Sequence, residues 1–158
     1  MTGTILITGG TGKTGSRIAN KLASRNISFL VTSRNGQSRV NVPAGKPIKA
    51  VSFDWFDATT YINPFNEDKD IDSVYLVFAP AGDLAQAVKA FISFAKTKGV
   101  KKFVLLSGVY SEKGDPSPHG QVHAFLDASG LDYAVLRPTW FFSKFFEVGG
   151  IKIVHFER

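Results

Sequence analysis

Residues 7–19 read ITGGTGKTGSRIA, and two phosphate-binding loops overlap in them. Gly12-Lys13-Thr14 looks like the end of an ATP-binding P-loop, whereas Gly9, Gly12 and Gly15 have the spacing of a dinucleotide-binding turn. A P-loop needs a further Gly five positions before the Gly of Gly-Lys-Thr, so that a long bend of backbone N–H groups wraps the phosphates. Ile7 stands there instead. It belongs to the apolar run Ile5-Leu6-Ile7, a short strand of the kind a parallel sheet buries at its centre. A strand from Thr4 to Thr8, the glycine turn, and Ile18, Ala19, Leu22 and Ala23 at helical spacing follow in the order of a first Rossmann βα unit. In such a unit Gly9 permits the tight turn, Gly12 lets the backbone approach a pyrophosphate, and Gly15 lets the helix pack closely on the sheet. The helix N-terminus presents N–H groups to the anion.

The rest of the chain alternates in the same way. Strands are expected at Ser28 to Ser33, Ile48 to Phe53, Ser73 to Phe78, Lys101 to Ser107 and Leu131 to Leu136. Leu84, Val88, Phe91 and Ala95 form one helical stripe, and Gln121 to Ala128 reads as a helix stopped by Gly130. The fold class is therefore α/β, a doubly wound parallel sheet.

A chain of 158 residues has room for one domain with a sizeable core. Its hydrophobic fraction of 44% and charged fraction of 20% are ordinary for a globular protein. No apolar stretch reaches the length of a membrane span. The chain enters its first strand without the charged and apolar regions of a secretory signal, so a soluble, cytoplasmic protein is expected, with no membrane partner. The absence of cysteine excludes disulfides, thiolate metal sites and cysteine nucleophiles. A net charge of +6 raises the question of nucleic acid, but the basic residues are mostly scattered. Lys13, Arg17, Lys21 and Arg25 do line one helix face. The later two read as a solvated surface, while Lys13 and Arg17 lie beside the phosphate turn. Nothing interleaves bases with aromatics as single-strand binders do, and no nucleic-acid partner is expected.

The end of the second strand selects the dinucleotide. An acidic residue about 20 positions past the glycines would hold the ribose hydroxyls of NAD and repel the extra phosphate of NADP. Here the strand ends Thr32-Ser33-Arg34. Arg34 can pair with a 2′-phosphate, Ser33 can donate a hydrogen bond to it, and Lys13 supplies a second cation. NADPH is expected in preference to NADH, which remains a possible cofactor; the alternative is an Arg34 that only caps a surface strand. Asp54 and Trp55 close the third strand in VSFDWFD, where adenine lies in this architecture. Asp54 can accept from the adenine amino group, and Trp55 is equally readable as core. Thr11, Thr14 and Phe78 complete the expected cofactor-binding set with Gly9, Gly12, Lys13, Gly15, Ser33, Arg34, Asp54 and Trp55.

Six segments taken in order, TILITGGTGKTGSRIA, VSFDWFD, DSVYLVFAP, KGVKKFVLLSG, GQVHAFL and YAVLRPTWF, resemble the fungal festuclavine synthase and agroclavine dehydrogenase family. That family lies in the NmrA-like branch of the atypical short-chain reductases. The resemblance covers residues 1 to about 145. It implies late clavine (ergot-type) alkaloid biosynthesis, in which a cyclic iminium formed from chanoclavine-I aldehyde is reduced to festuclavine with a nicotinamide cofactor. The small-molecule partner is then an alkaloid.

Ordinary short-chain reductases use Tyr and Lys four apart on a helix, but Tyr110 has Gly114 at that distance. Lys113 is three residues on, and SEKGDPSPHG is too rich in Gly and Pro for the supporting helix. No catalytic residue is assigned. An iminium carbon accepts hydride without a delivered proton, so positioning and exclusion of water suffice. His119 and His123 lie four apart but lack the Glu and third ligand of a metal site, and no metal is expected. His119 reads as a solvated helix start, with substrate orientation as its alternative.

Ser107, at the end of the fifth strand, is a candidate contact to nicotinamide or substrate. Trp140 and Phe141, after the sixth strand, are candidate walls of an apolar pocket for an indole substrate, with core packing as the alternative. Beyond them the resemblance fails, since relatives continue with another strand and a C-terminal region that covers the substrate. Residues 1–140 are thus expected to form an NAD(P)-binding Rossmann domain, C-terminally truncated, and 141–158 a divergent tail in place of that region. The chain would be a shortened product or one half of an enzyme completed by a second subunit. Phe141, Phe142, Phe145 and Phe146 would leave an apolar patch that favours association. Two functions follow, an NAD(P)H-dependent reductase of clavine biosynthesis and a non-catalytic NmrA-like dinucleotide sensor that regulates a partner.

Overall fold

The computed structural model describes residues 3–36, 50–78 and 84–139. Their elements, in chain order, are β1 (Thr4–Ile7), α1 (Lys13–Ala23), β2 (Phe29–Ser33), β3 (Ala50–Ser52), a 3₁₀ turn (Ala58–Ile62), α2 (Asn63–Glu67), β4 (Ile71–Leu76), α3 (Leu84–Thr97), β5 (Lys102–Leu106), α4 (Pro118–Ala128) and β6 (Asp132–Leu136). The strands form one parallel sheet in the order β3-β2-β1-β4-β5-β6. The order reverses at β1, between the halves of a Rossmann fold, and a ligand crevice is expected at the carboxyl ends of the strands there.

The two faces of the sheet are unequal. One carries α3 and α4, over a core of Leu6, Val74, Leu76, Phe91, Phe103 and Leu105 with Val122 and Leu126 from α4. On the other, Ile7, Val31 and Tyr75 pack with Ala19 of α1. Alternation along β5 displays this inequality: Phe103 and Leu105 are buried, whereas Val104 and Leu106 are only half-buried. In β6, Asp132, Ala134 and Leu136 are exposed. Phe91 of α3 sits at the centre of an aromatic cluster, with the rings of Phe53, Trp55 and Tyr61 at 5.0, 5.5 and 5.3 Å. Full burial of a Phe of this kind contributes about 1.5–3 kcal/mol.

Several boundaries differ from the sequence expectation by one to three residues, and two of the differences have a visible cause. β4 stops at Leu76 instead of Phe78, because the Val77 N–H leaves the ladder and donates to the Thr8 hydroxyl at 2.8 Å. α4 starts at Pro118 instead of Gln121, so the segment SEKGDPSPHG contributes its last three residues to helix. Proline at the first position costs nothing there, since its missing N–H has no helical acceptor. The Ser117 hydroxyl caps this end by accepting from the Gly120 N–H at 3.0 Å. The 3₁₀ turn and α2 lack an apolar period and carry no signal in the sequence. Asp57 starts the 3₁₀ turn by accepting from the Thr59 N–H at 3.0 Å, and the buried Tyr61 and Phe65 anchor the stretch.

Among the described residues no helix is long and apolar enough to cross a membrane, and no three His, Asp or Glu gather as metal ligands. Trp140, Phe141 and the expected tail lie outside the described residues.

Candidate dinucleotide site

The glycine turn is shaped by backbone contacts only glycine allows. Gly9 has φ +63°, in the left-handed region, and its carbonyl accepts from the Gly12 N–H at 2.9 Å. A Cβ on Gly15 would sit 2.5 Å from that same Gly9 carbonyl oxygen, so α1 rests directly on the turn. Gly10, which the dinucleotide spacing does not single out, is equally constrained: a Cβ there would lie 2.4 Å from the Val31 Cβ of β2. Gly12 is the N-cap of α1, and no side chain among the described residues caps that end. First-turn N–H groups have no acceptor within a helix, which makes this end suited to an anion.

The turn opens onto a cavity of about 640 Å³ at the carboxyl edge of the sheet, within the range of small-molecule sites. Gly9, Thr11 and Gly12 line its floor, Ser33 and Arg34 come from the end of β2, and Asp54, Trp55 and Phe56 follow β3. Val77, Phe78 and Leu84 close the side toward α3. Most of the expected cofactor-binding residues therefore meet around one space. Three do not line it. Gly15 is buried beneath the turn, and Lys13 is exposed at the first position of α1. Thr14 is hydrogen-bonded to the Tyr75 hydroxyl and lines a separate apolar groove of about 570 Å³ with Ile18, Leu106, Leu136 and Pro138.

The walls are held by groups that carry no motif. Thr8 is fully buried; its hydroxyl donates to the Tyr75 carbonyl at 2.9 Å and accepts from the Val77 N–H. It thereby pins the end of β4, where Val77 and Phe78 face the cavity. After β3 the chain makes a tight turn with an Asp54–Asp57 bridge. The Asp54 N–H donates to the Thr60 hydroxyl at 2.9 Å, and one Asp54 carboxylate oxygen accepts from the Phe56 N–H at 2.9 Å. Asp54 is thus partly committed to its own turn. The Tyr61 hydroxyl donates to the Trp55 carbonyl at 2.7 Å, and burial with the Asp54 and Asp57 charges raises its pKa. Trp55 proves to be both core and wall, half-buried and edge-on to Phe53 at 4.8 Å and Phe78 at 6.2 Å while it lines the cavity.

His119 is not the solvated helix start expected from sequence. Its ring stacks on Phe78 at 4.4 Å and 11°. Burial lowers its pKa, against a hydrogen bond to the Phe78 backbone and the Asp115 charge, which favour the cation. Ser107 lies just past β5, its N–H donating to the Leu136 carbonyl at 2.8 Å while its buried hydroxyl has no partner among the described residues. It does not line the glycine-turn cavity. Tyr110 is 86% exposed and lies outside any helix, so it has no neighbouring helical Lys.

The fold and this cavity define a dinucleotide-binding Rossmann domain. The residues fit that ligand: the Gly9–Gly15 contact brings α1 onto the turn, and its uncapped N-terminus offers donors to an anion. The chain belongs to the NAD(P)H-binding family, whose model matches residues 9–155. It is 41% identical over 150 residues to festuclavine synthase I of Penicillium roqueforti strain FM164, a match spanning 91% of this chain and 50% of that protein. Agroclavine dehydrogenase of Claviceps fusiformis is 42% identical over 146 residues, covering 90% of this chain and 48% of the relative. The chain thus spans about half the length of these curated relatives. In fold it is similar to UDP-glucose 4-epimerase of Thermus thermophilus complexed with NAD, with TM-score 0.65, 22% identity, and coverage of 85% of this chain and 54% of that one. A putative NAD-dependent epimerase/dehydratase of Bacillus halodurans gives TM-score 0.67 at 20% identity over 87% of this chain and 70% of its own.

Proposed function

We propose that the chain acts as an NADPH-preferring oxidoreductase of clavine alkaloid biosynthesis, reducing a cyclic iminium derived from chanoclavine-I aldehyde to festuclavine. The observation that carries the cofactor half is the single cavity joining the uncapped α1 N-terminus to Ser33 and Arg34. The substrate half rests on similarity to the festuclavine and agroclavine enzymes. When bound, the nicotinamide supplies hydride. The chain's own groups have other tasks: N–H donors of the turn hold the pyrophosphate, Arg34 pairs with the 2′-phosphate, and Asp54 and Trp55 receive the adenine. A highly exposed Tyr110 suits an acceptor that takes hydride without a proton. Ser107 is proposed to touch nicotinamide or substrate with its hydroxyl, which has no partner among the described residues.

Anaerobic incubation of the chain with NADPH and the iminium, alone and together with other proteins of the pathway, tests this. Loss of NADPH absorbance matched by festuclavine formation is expected. If the chain binds the dinucleotide yet no festuclavine forms under any pairing with other pathway proteins, the reductase proposal is wrong and the non-catalytic sensor takes its place.

A further inference from the structure

We propose that Phe56 is an adenine-binding residue, its ring forming a platform on which the base of the dinucleotide stacks. This rests on the dinucleotide reading above and adds a residue that no motif marks. Single exposed aromatics are common on protein surfaces and need no role. Phe56 differs from such a residue in three respects. Its ring is 72% exposed and yet lines the cavity, beside Asp54 and Trp55 and facing the same space as Arg34. Unlike Trp55, it stacks on no other ring among the described residues. Its backbone is nonetheless tightly held: the Phe56 N–H donates to Asp54, the Asp57 N–H donates to the Asp54 carbonyl at 3.2 Å, and Thr60 braces both ends of the turn.

A large apolar side chain presented to water from a rigid turn, in a crevice that Trp55, Val77 and Phe78 also line, suits a flat π-system. A purine has that face, and a phosphate or a ribose does not. The platform needs no conformational adjustment on binding because the turn is already fixed. Stacking is indifferent to the 2′-phosphate, so Phe56 should support NADPH and NADH alike while Arg34 separates them.

Calorimetric titrations of Phe56→Ala and Phe56→Tyr test the proposal, with NADPH, NADH and reduced nicotinamide mononucleotide as probes; the last lacks adenine. Phe56→Ala should weaken NADPH and NADH about tenfold or more, from the usual value of one base–aromatic stack. Phe56→Tyr should bind close to wild type. The mononucleotide should bind all three proteins equally, and thermal midpoints should agree because the ring is exposed. Wild-type affinity for NADPH in Phe56→Ala overturns this proposal alone, and so does an equal loss for the mononucleotide, which would make the residue structural. Failure of the wild type to bind either dinucleotide overturns the dinucleotide reading and this proposal with it.

Discussion

Gly15→Ala is the sharpest single perturbation of the phosphate turn. The added Cβ would lie 2.5 Å from the Gly9 carbonyl oxygen, 2.8 Å from the Gly10 Cα and 3.1 Å from the Gly9 carbonyl carbon. All three atoms are backbone, so no rotamer change relieves the contact. Ordinary contact begins near 3.4 Å, and α1 must therefore move off the turn by about 0.9 Å, an overpacking that typically costs about 1–3 kcal/mol. The better helix propensity of Ala returns up to about 1 kcal/mol, leaving a net loss. Binding should suffer more than stability. Gly9 also accepts from Gly12, so the displacement spreads to the N–H groups aimed at the pyrophosphate. Loss of one charge-assisted hydrogen bond is about 1.5–3 kcal/mol, or roughly 10- to 100-fold in affinity. The assay is NADPH titration by calorimetry together with thermal unfolding. Gly108→Ala is the control, since a Cβ there meets nothing within 4 Å. If Gly15→Ala keeps wild-type affinity and midpoint, or if Gly108→Ala loses as much, the close-approach reasoning is wrong.

Arg34→Asp should weaken NADPH by about tenfold or more while leaving NADH within a few-fold, measured by paired titrations; equal losses would make Arg34 structural. Thr8→Val removes both hydrogen bonds that pin the end of β4, and should cost about 1–3 kcal/mol, on the order of 5 °C in midpoint for a chain of this size. Thr8→Ser should recover most of that loss. His119 has a folded pKa below its ordinary 6.5 because burial disfavours the cation. The unfolded chain therefore binds the proton more readily, and this contribution to stability is full above pH 6.5 and lost as pH falls from there toward the folded value. Denaturant titrations at pH 7.5 and pH 5.5 should show a smaller decline in His119→Gln than in wild type, and an unchanged decline would refute the assignment.

The local part of the fold is legible in the sequence. β1, the glycine turn and α1 are contiguous, so their spacing carries the geometry, and the stripe Leu84, Val88, Phe91 and Ala95 is buried as its period requires. Long-range constraints are not legible. Gly10 is constrained by Val31 across the sheet, and Thr8 by Tyr75 and Val77, partners more than 60 residues away. The turn after β3 depends on Asp54 and Thr60 bonding across a segment that has no apolar rhythm. His119 reads as solvated in the sequence because the ring that covers it, Phe78, lies at another strand's end. Arg34 and Ser33 can be found because the rule that places them counts residues from the glycines, and strand β2 delivers that count to the cavity. Pro118 reads as a breaker in a segment rich in Gly and Pro, yet at the first helical position it starts α4.

Calorimetric titration of NADPH and NADH into the chain tests most directly that this cavity is a nicotinamide dinucleotide site that prefers the phosphorylated form. Saturable one-to-one binding of both is expected, with NADPH tighter by about tenfold or more, from one charge-assisted phosphate contact. No saturable heat with either dinucleotide would contradict the site itself, and tighter binding of NADH would contradict the role given to Arg34.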